Sequence, residues 1–220
     1  MNITIVSGSH RKVSQSIKIA KAIKSALKPF KECDEANIFD LANNPLPLWN
    51  EDLRKVGNPS NSLLESVSKK LAYSDAFIII SPEWHWMVPA GLKNFFLMWG
   101  KGELAHKPAL IVTVSSGDGG SYPVAELRMS SYKNNRICFL PEHLIIRNVE
   151  SVFNDNEIDN NSSSQEYFEN RLDYCLKQLL TYGKAFKQIR KSDAVSIKKY
   201  GSGMWFFNWL FQRSFQSIQS

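Results

Sequence analysis

Two largely apolar runs constrain the fold of this 220-residue chain more than any other feature. Ala76–Ile80 reads AFIII, and Ala109–Val114 reads ALIVTV. A strand with one face in water alternates apolar and polar residues, whereas a short continuous apolar run is typical of a strand buried on both faces. Such strands lie in the middle of parallel sheets that carry helices on both sides. The two runs therefore predict an α/β protein with a central parallel sheet.

Three further segments have the character of strands, namely Ile3–Val6, Asp34–Leu41 and His143–Val149. Apolar residues at helical spacing separate the strands, with one helix expected through Arg128 to about Lys133 and a last long helix over Phe168–Phe186. Strands that alternate with crossover helices build a three-layer sandwich. The sequence thus predicts a flavodoxin-like fold, with a five-stranded parallel sheet of order 2-1-3-4-5.

The net charge of +6 is confined to one end of the chain. Lys184–Ser220 holds seven basic residues and one acid, Asp193, so the rest of the chain is neutral. A neutral domain argues against a nucleic-acid groove, and no nucleic-acid partner is expected. Length and composition predict one domain over 1–190 and a basic, aromatic-rich C-terminal extension over 191–220.

The cysteines and histidines predict neither a disulfide framework nor a metal site. Cys33, Cys138 and Cys175 are odd in number and widely spaced, and the four histidines lack ligand-like spacing. No apolar run approaches the roughly 18 residues that span a bilayer, and no secretory signal precedes the first strand. A cytoplasmic protein with reduced thiols is expected.

Three unusual loops follow the first, third and fourth strands, namely Ser7–Ser16, Ser81–Pro89 and Ser115–Tyr122. In the predicted topology they meet outside the carboxyl ends of the strands, where ligands bind. The first loop, with four serines and Arg11-Lys12, suits either a phosphate cradle or a capped helix. The second holds Trp84 and Trp86, and the third is rich in glycine. Together they offer a phosphate cradle, an aromatic platform and backbone donors, which are the demands of a flavin mononucleotide.

Motifs in these loops resemble those of the NAD(P)H-dependent FMN reductases, a family that includes chromate, quinone and azo-dye reductases. Gly8-Ser9-His10-Arg11-Lys12-Val13-Ser14 matches the family's Gly-Ser-x-Arg-x-x-Ser. Pro82-Glu83 and Pro89–Asn94 match Pro-Glu-Tyr-Asn and Pro-x-x-Leu-Lys-Asn, with Trp84 and His85 replacing the tyrosine and the asparagine. Ser115–Gly120 and Leu127-Arg128 match a third motif. The resemblance covers roughly residues 1–149.

The resemblance implies bound FMN and assigns residues to its parts. The phosphate would be held by Ser9, Arg11, Ser14 and Ser16, the last standing where the family usually has asparagine. The isoalloxazine would lie along Pro82, Glu83, Trp84 and His85. Its other edge and the ribityl chain would border Ser115, Gly117, Gly119 and Gly120. The exchange at Trp84 and His85 puts tight FMN binding and substrate choice in question.

The implied activity is ping-pong hydride transfer from NADPH or NADH to FMN and on to a quinone, flavin, azo or metal-oxyanion acceptor. Because the flavin carries the chemistry, no catalytic side chain is named. The chain lacks the Gly-x-Gly-x-x-Gly of a separate nicotinamide domain, which fits two substrates using one site in turn. A flavodoxin-like electron carrier without NAD(P)H turnover and a scaffold without flavin remain alternatives.

Two segments lie outside the motifs. Asn43–Asn61, with Trp49, is a candidate lid or subunit contact, and a homodimer or homotetramer is expected. Seven aromatic residues follow Lys198-Lys199 within residues 200–215. Such a tail suits a peripheral membrane contact or an arm packed on the domain or on a second subunit. The arm is favoured, because Met204–Phe215 shows no clear polar face.

Overall fold

A computed structural model describes residues 1–197 and confirms the predicted architecture. Five parallel strands form one sheet in the order β2-β1-β3-β4-β5. The strands are β1 (Asn2–Ser7), β2 (Glu35–Asp40), β3 (Ala76–Pro82), β4 (Pro108–Val114) and β5 (Cys138–Ile146). The helices are α1 (Gln15–Leu27), α2 (Asn61–Tyr73), α3 (Ala90–Met98), α4 (Ser121–Met129) and α5 (Ser162–Ile189).

The core lies on both faces of the sheet. On one face, α1 and α5 pack against Ile78 and Ile80 of β3. On the other face, α2, α3 and α4 pack against Phe77 and Ile79 of the same strand. Every residue of β3 is buried, which explains why its sequence shows no polar alternation. None of the helices in residues 1–197 is long and apolar enough to cross a membrane.

The last strand corrects the sequence prediction. We expected it over His143–Val149, but β5 begins at Cys138 and ends at Ile146. Pro141 lies within β5 and masked its first half, because proline donates no ladder hydrogen bond. It is tolerated here because β5 is an edge strand, and its pairing with β4 is irregular between Ala109 and Ile111.

The lengths of two further segments also differ from expectation. The helix expected to reach about Lys133 ends at Met129, and the next residues form a separate connection to β5. The segment over 43–61 is not wholly irregular, since a 3-10 helix spans Glu51–Arg54 and buries Leu53. The aromatic tail over 200–215 lies outside the described residues.

Candidate active site

The loop after β1 is held close to the neighbouring strand by Gly8. The Gly8 N–H donates to the carbonyl of Ile80 at 2.8 Å. A Cβ at position 8 would lie 2.5 Å from that oxygen and 2.7 Å from a Leu92 methyl. Only glycine therefore lets the chain turn so close to the end of β3. The turn leads through the serines of the first loop to the start of α1.

Ser14 caps α1 as the sequence allows. Ser14 has an extended backbone, and its Oγ accepts a hydrogen bond from the N–H of Ile17 at 3.2 Å. Both features are typical of an N-cap residue. The capping interpretation of this loop is thus correct for Ser14. The Ser14 cap leaves the first N–H groups of the helix, those of Gln15 and Ser16, without a partner inside the helix.

Buried hydroxyls without partners flank this helix start. Within residues 1–197, five buried side-chain polar atoms lack a hydrogen-bond partner, and three belong to Ser7, Gln15 and Ser16. Ser16 is 1% exposed and Ser7 is fully buried. Because such groups normally have partners, three of them at one loop indicate a place for a polar ligand. The hydroxyls of Ser7 and Ser16 can donate to a phosphate, whereas the Gln15 oxygen can only accept.

Cations border the same loop. Arg11 and Lys12 are exposed, and the Arg11 guanidinium makes no hydrogen bond or ion pair within residues 1–197. Ser9, by contrast, is buried, and its Oγ accepts from the N–H of Arg11 at 3.2 Å, which fixes the backbone that carries the guanidinium. A guanidinium beside open N–H groups is suited to a phosphate.

The loop after β3 forms a tight hairpin that presents aromatic rings. Trp84 and Met87 exchange backbone hydrogen bonds of 3.1 and 2.9 Å across His85 and Trp86. Both central residues have positive φ, 49° and 62°, a region that side chains rarely adopt. Histidine, like the asparagine of the family motif, is among the residues enriched there, which accounts for the replacement at His85.

The aromatic rings of this hairpin contact the other two loops. Trp84 is half-buried and meets His10 edge-on, with ring centroids 4.7 Å apart. Trp86 is 68% exposed and stacks on Tyr122 of α4 at 5.4 Å and 13°. Pro82, before the hairpin, is buried at the end of β3. The predicted aromatic platform therefore lies between the first and third loops.

Glu83 joins the second loop to the third. Its Oε2 accepts from the N–H of Gly120 at 2.8 Å, and its own N–H donates to Val114 at 3.1 Å. A side chain at position 119 would overlap the Glu83 carboxylate, and Gly120 has a φ of 101°. The backbone conformation of Gly120 thus favours glycine, and Gly119 leaves room for the Glu83 carboxylate, while a Cβ at Gly117 would meet nothing within 4 Å.

Part of the predicted donor edge is already engaged within the protein. The N–H of Gly120 is bonded to Glu83, and the N–H of Gly117 donates to the Oγ of Ser115 at 3.3 Å. The backbone N–H groups of this loop that have no acceptor within residues 1–197 include those of Asp118 and Gly119. Ser115 is half-buried and pairs through its backbone with Ile146 and Val149.

Residues after β5, which the sequence did not single out, fix the third loop. Arg147 Nε donates to the carbonyls of Asp118 and Gly119 at 2.7 and 3.1 Å. Asn148 donates to Gly117 through its N–H and to the Asp118 carboxylate through its amide. Lys18 of α1 then bonds the carbonyls of Val149 and Val152, and burial lowers its pKa. No local motif marks these residues, because their partners are distant backbone carbonyls.

Glu126 and Asn94 fix the flanks of the site. Glu126 of α4 accepts from the N–H of Val88 at 2.7 Å and forms an ion pair with Lys93. Asn94, the last residue of the Leu-Lys-Asn motif, bonds the carbonyl of Pro47 and the N–H of Trp49, both at 2.8 Å. The candidate lid is thereby fastened to α3.

Comparison with known proteins identifies the family to which the chain belongs. Residues 1–150 match the family of NADPH-dependent FMN reductases. The chain is 23% identical over 194 residues to an NADPH azoreductase of Bacillus sp. (strain OY1-2), covering 87% of this chain and 97% of that protein. It is 30% identical over 131 residues to an NADPH:quinone oxidoreductase of Arabidopsis thaliana, covering 58% of this chain and 65% of that protein.

A solved structure shares the fold. The flavoenzyme NAD(P)H:(acceptor) oxidoreductase of Paracoccus denitrificans superposes with a TM-score of 0.64 at 19% identity. The match covers 82% of this chain and 98% of that one.

Proposed function

The chain belongs to the NADPH-dependent FMN reductase family, whose members are oxidoreductases that work with FMN and NAD(P)H, and from that premise we propose how its three loops serve this activity. The proposed reaction is ping-pong transfer of a hydride from NADPH or NADH to FMN and on to a small-molecule acceptor. Bound FMN supplies the hydride chemistry, and the protein supplies binding, orientation and electrostatics.

The partnerless hydroxyls at the start of α1 carry the proposal. The Ser16 hydroxyl is buried next to unpaired N–H groups of the helix, and Arg11 offers an uncommitted guanidinium. With Ser9 and Ser14 they form a short, serine-lined cradle that suits a terminal phosphate monoester. Their donors replace the water that a buried phosphate would lose.

The other two loops suit the flavin ring. In the proposed complex Pro82, Glu83, Trp84 and His85 would lie along one side of the ring, and Ser115–Gly120 would lie along the other. The Glu83 carboxylate accepts a hydrogen bond from Gly120, so its main role in the proposal is to join the second loop to the third. The free N–H groups of Asp118 and Gly119 lie where they could offset negative charge on a reduced ring.

The acceptor class rests on the relatives. An azoreductase and a quinone oxidoreductase are among the similar proteins, so quinones and azo dyes are the first acceptors to test, with free flavin and metal oxyanions next. The exposed, stacked Trp86–Tyr122 pair favours planar aromatic acceptors.

We further propose a homodimer or homotetramer in the cytoplasm. Trp86, Met87 and Tyr122 form an exposed apolar patch at the rim of the site, and such patches mark contact surfaces. The three cysteines are free, which fits a reducing compartment. A native mass equal to one chain, measured by light scattering at micromolar concentration, would refute the assembly.

The test is the spectrum of the protein mixed with FMN. We expect a yellow complex that bleaches when NADPH is added without oxygen and recovers its colour on addition of a quinone. A yellow complex that NADPH does not bleach would instead mean an electron carrier, and a protein that retains no FMN would mean a scaffold. Either result overturns the proposed reaction.

A further inference from the structure

One ammonium group links the start of α1 to the segment that follows β5. Lys18 lies in the first turn of α1, four residues after the Ser14 cap. Its Nζ donates to the carbonyls of Val149 and Val152 at 2.7 and 2.8 Å. The third hydrogen bond goes to Asn154 Oδ1 at 2.8 Å. All three donors of the ammonium are thus used, and every acceptor lies more than 130 positions away in the sequence.

A lysine at this place does not stabilise α1 itself. The first turn of a helix carries a partial positive charge, so acidic residues stabilise it and basic residues do not. The first turn of α1 holds no acidic residue, and Arg11 and Lys12 precede it. Burial lowers the pKa of Lys18, while the nearby carboxylates of Glu150 and Asp155 act in the opposite direction. The contacts that the ammonium makes across the fold therefore explain the lysine better than its place in α1 does.

The acceptors of Lys18 belong to a segment that is held by its own hydrogen bonds. The Asn154 amide accepts from Lys18 through its oxygen and donates through its nitrogen to the carbonyls of Glu150 and Asp159, at 2.7 and 3.0 Å. One side chain thus gathers three parts of the segment around the ammonium. Residues 149–159 therefore form a fixed support, and Lys18 fastens α1 to it.

The same segment supports the third loop. The N–H of Val149 donates to the Ser115 carbonyl at 3.1 Å, and the Glu150 carboxylate accepts from the Ser116 hydroxyl at 2.6 Å. Val149 therefore bonds the third loop through its N–H and Lys18 through its carbonyl. Two successive hydrogen bonds connect α1, which begins at the proposed phosphate cradle, to the loop that would border the flavin ring.

The family match does not account for this link. It covers residues 1–150, and two of the three acceptors, Val152 and Asn154, lie beyond it. Lys18 also stands outside the three sequence motifs, the first of which ends at Ser14.

We propose that Lys18 is a positioning residue for FMN, whose ammonium holds the phosphate cradle and the third loop at the spacing that one FMN molecule requires. This inference rests on the proposed function. In the proposed complex FMN reaches both places, with its phosphate at the start of α1 and its ring beside the third loop. Riboflavin has the same ring and lacks the phosphate, so its binding depends on the third loop alone. Binding groups that are already at the right spacing cost less free energy to order when the ligand binds.

Fluorescence titration with FMN and with riboflavin tests the proposal. Lys18→Met keeps the apolar stem of the side chain and removes its three donors. We expect the dissociation constant of FMN to rise about tenfold and that of riboflavin to change by less than about twofold. Lys107→Met is the matched control, because it also takes an ammonium from three carbonyls, but at the amino end of β4. It should leave the ratio of the two constants unchanged, as should Lys21→Met at an exposed lysine of α1.

Hydrogen exchange of the flavin-free protein tests the link itself. In Lys18→Met the amides of Val149 and Gly117 should exchange at least about tenfold faster than in the wild-type protein. Lys21→Met should leave both rates unchanged. Unchanged rates in Lys18→Met would mean that the ammonium does not hold the third loop, which overturns the proposal.

The titrations also separate a failure of this inference from a failure of the proposed function. A wild-type protein that binds neither flavin overturns the proposed function and this inference with it. FMN binding that Lys18→Met leaves unchanged, or an equal loss of affinity for FMN and riboflavin, overturns this inference alone.

Discussion

At the carboxyl edge of the sheet the buried hydroxyls of Ser7 and Ser16 have no partner, whereas at the amino edge every donor of the buried Lys107 ammonium is used. Lys107 Nζ lies 2.7–2.8 Å from the carbonyls of Leu71, Ala72 and Glu103. Burial lowers the pKa of Lys107 to about 7, while the three acceptors favour its charged form.

The same contrast holds for the neighbouring groups. At the amino edge, Asp75 accepts from the N–H of Asn2 and pairs with Lys187 at 2.8 Å and Arg190 at 3.1 Å. At the carboxyl edge, the Arg11 guanidinium has no such partner within residues 1–197, and His85 and Trp86 adopt positive φ. Left-handed backbone occurs at both edges, since His106 beside Lys107 has a φ of 53°. The two edges therefore differ in the pairing of their buried donors, and unsatisfied buried donors cost stability. The paired charges thus lie at the amino end of the sheet, and the proposed FMN site lies at the carboxyl end.

The largest expected effect is at the amino edge. Lys107→Met should lower the free energy of unfolding by about 3 kcal/mol, because it leaves three buried carbonyls without their donor. The FMN dissociation constant should stay unchanged, since the two edges are separate. Urea unfolding and fluorescence titration measure the two quantities. Lys101→Met, at an exposed lysine nearby, is the control, and equal loss in both variants would contradict the assigned role.

The corresponding experiment at the carboxyl edge removes the Arg11 side chain. Arg11→Ala should weaken FMN binding by about 2 kcal/mol, or roughly thirtyfold, because hydrogen bonds to charged groups contribute 1.5–3 kcal/mol. Unfolding of the FMN-free protein should not change, because Arg11 has no ion partner within residues 1–197. Lys21→Ala, an exposed cation on α1, serves as the control for net charge. Unaltered affinity would remove Arg11 from the site.

The sequence predicted the sheet better than the site. Unbroken apolar runs such as AFIII identify buried strands locally, and the strand order brings the three loops together. The start of β5 was missed because Pro141 interrupts its pattern. The hydrogen bonds of Glu83 with Gly120 and of Arg147 with Asp118 join residues that are 37 and 29 positions apart. Such contacts leave no periodicity or motif, so only the folded structure shows which donors remain for a ligand.

A smaller expected effect is the pH-dependent contribution of Asp75 to the free energy of unfolding at the amino edge. Burial raises the pKa of Asp75, but hydrogen bonds from Lys187 and Asn2 and the nearby Arg190 outweigh it, and the pKa lies below its usual value. A lowered folded pKa contributes stability that is present above the unfolded value near 4 and is lost as the pH falls through the folded pKa.

Asp75→Asn should therefore cost about 1.5 kcal/mol at pH 7, where it loses charged hydrogen bonds. The stabilities of the two proteins should converge as the pH falls from 5 to 2. Urea midpoints across that range measure the difference. A gap that stays constant with pH would mean that the carboxylate charge at Asp75 is not what stabilises this edge.

The smallest expected effect separates the two edges most sharply, because it should change sign between stability and binding. Ser16→Ala removes a buried hydroxyl that has no partner within residues 1–197. The free energy of unfolding of the FMN-free protein should therefore stay the same or rise by up to about 1 kcal/mol. The same change removes a donor from the proposed cradle, so FMN affinity should fall by about 1 kcal/mol, or roughly fivefold. Ser74→Ala is the matched variant at the amino edge, where the buried hydroxyl bonds Thr4 and the Lys70 carbonyl. It should lower stability and leave FMN affinity unchanged. If Ser16→Ala instead behaved like Ser74→Ala, the partnerless hydroxyl would be an ordinary core group and the cradle would lose its main support.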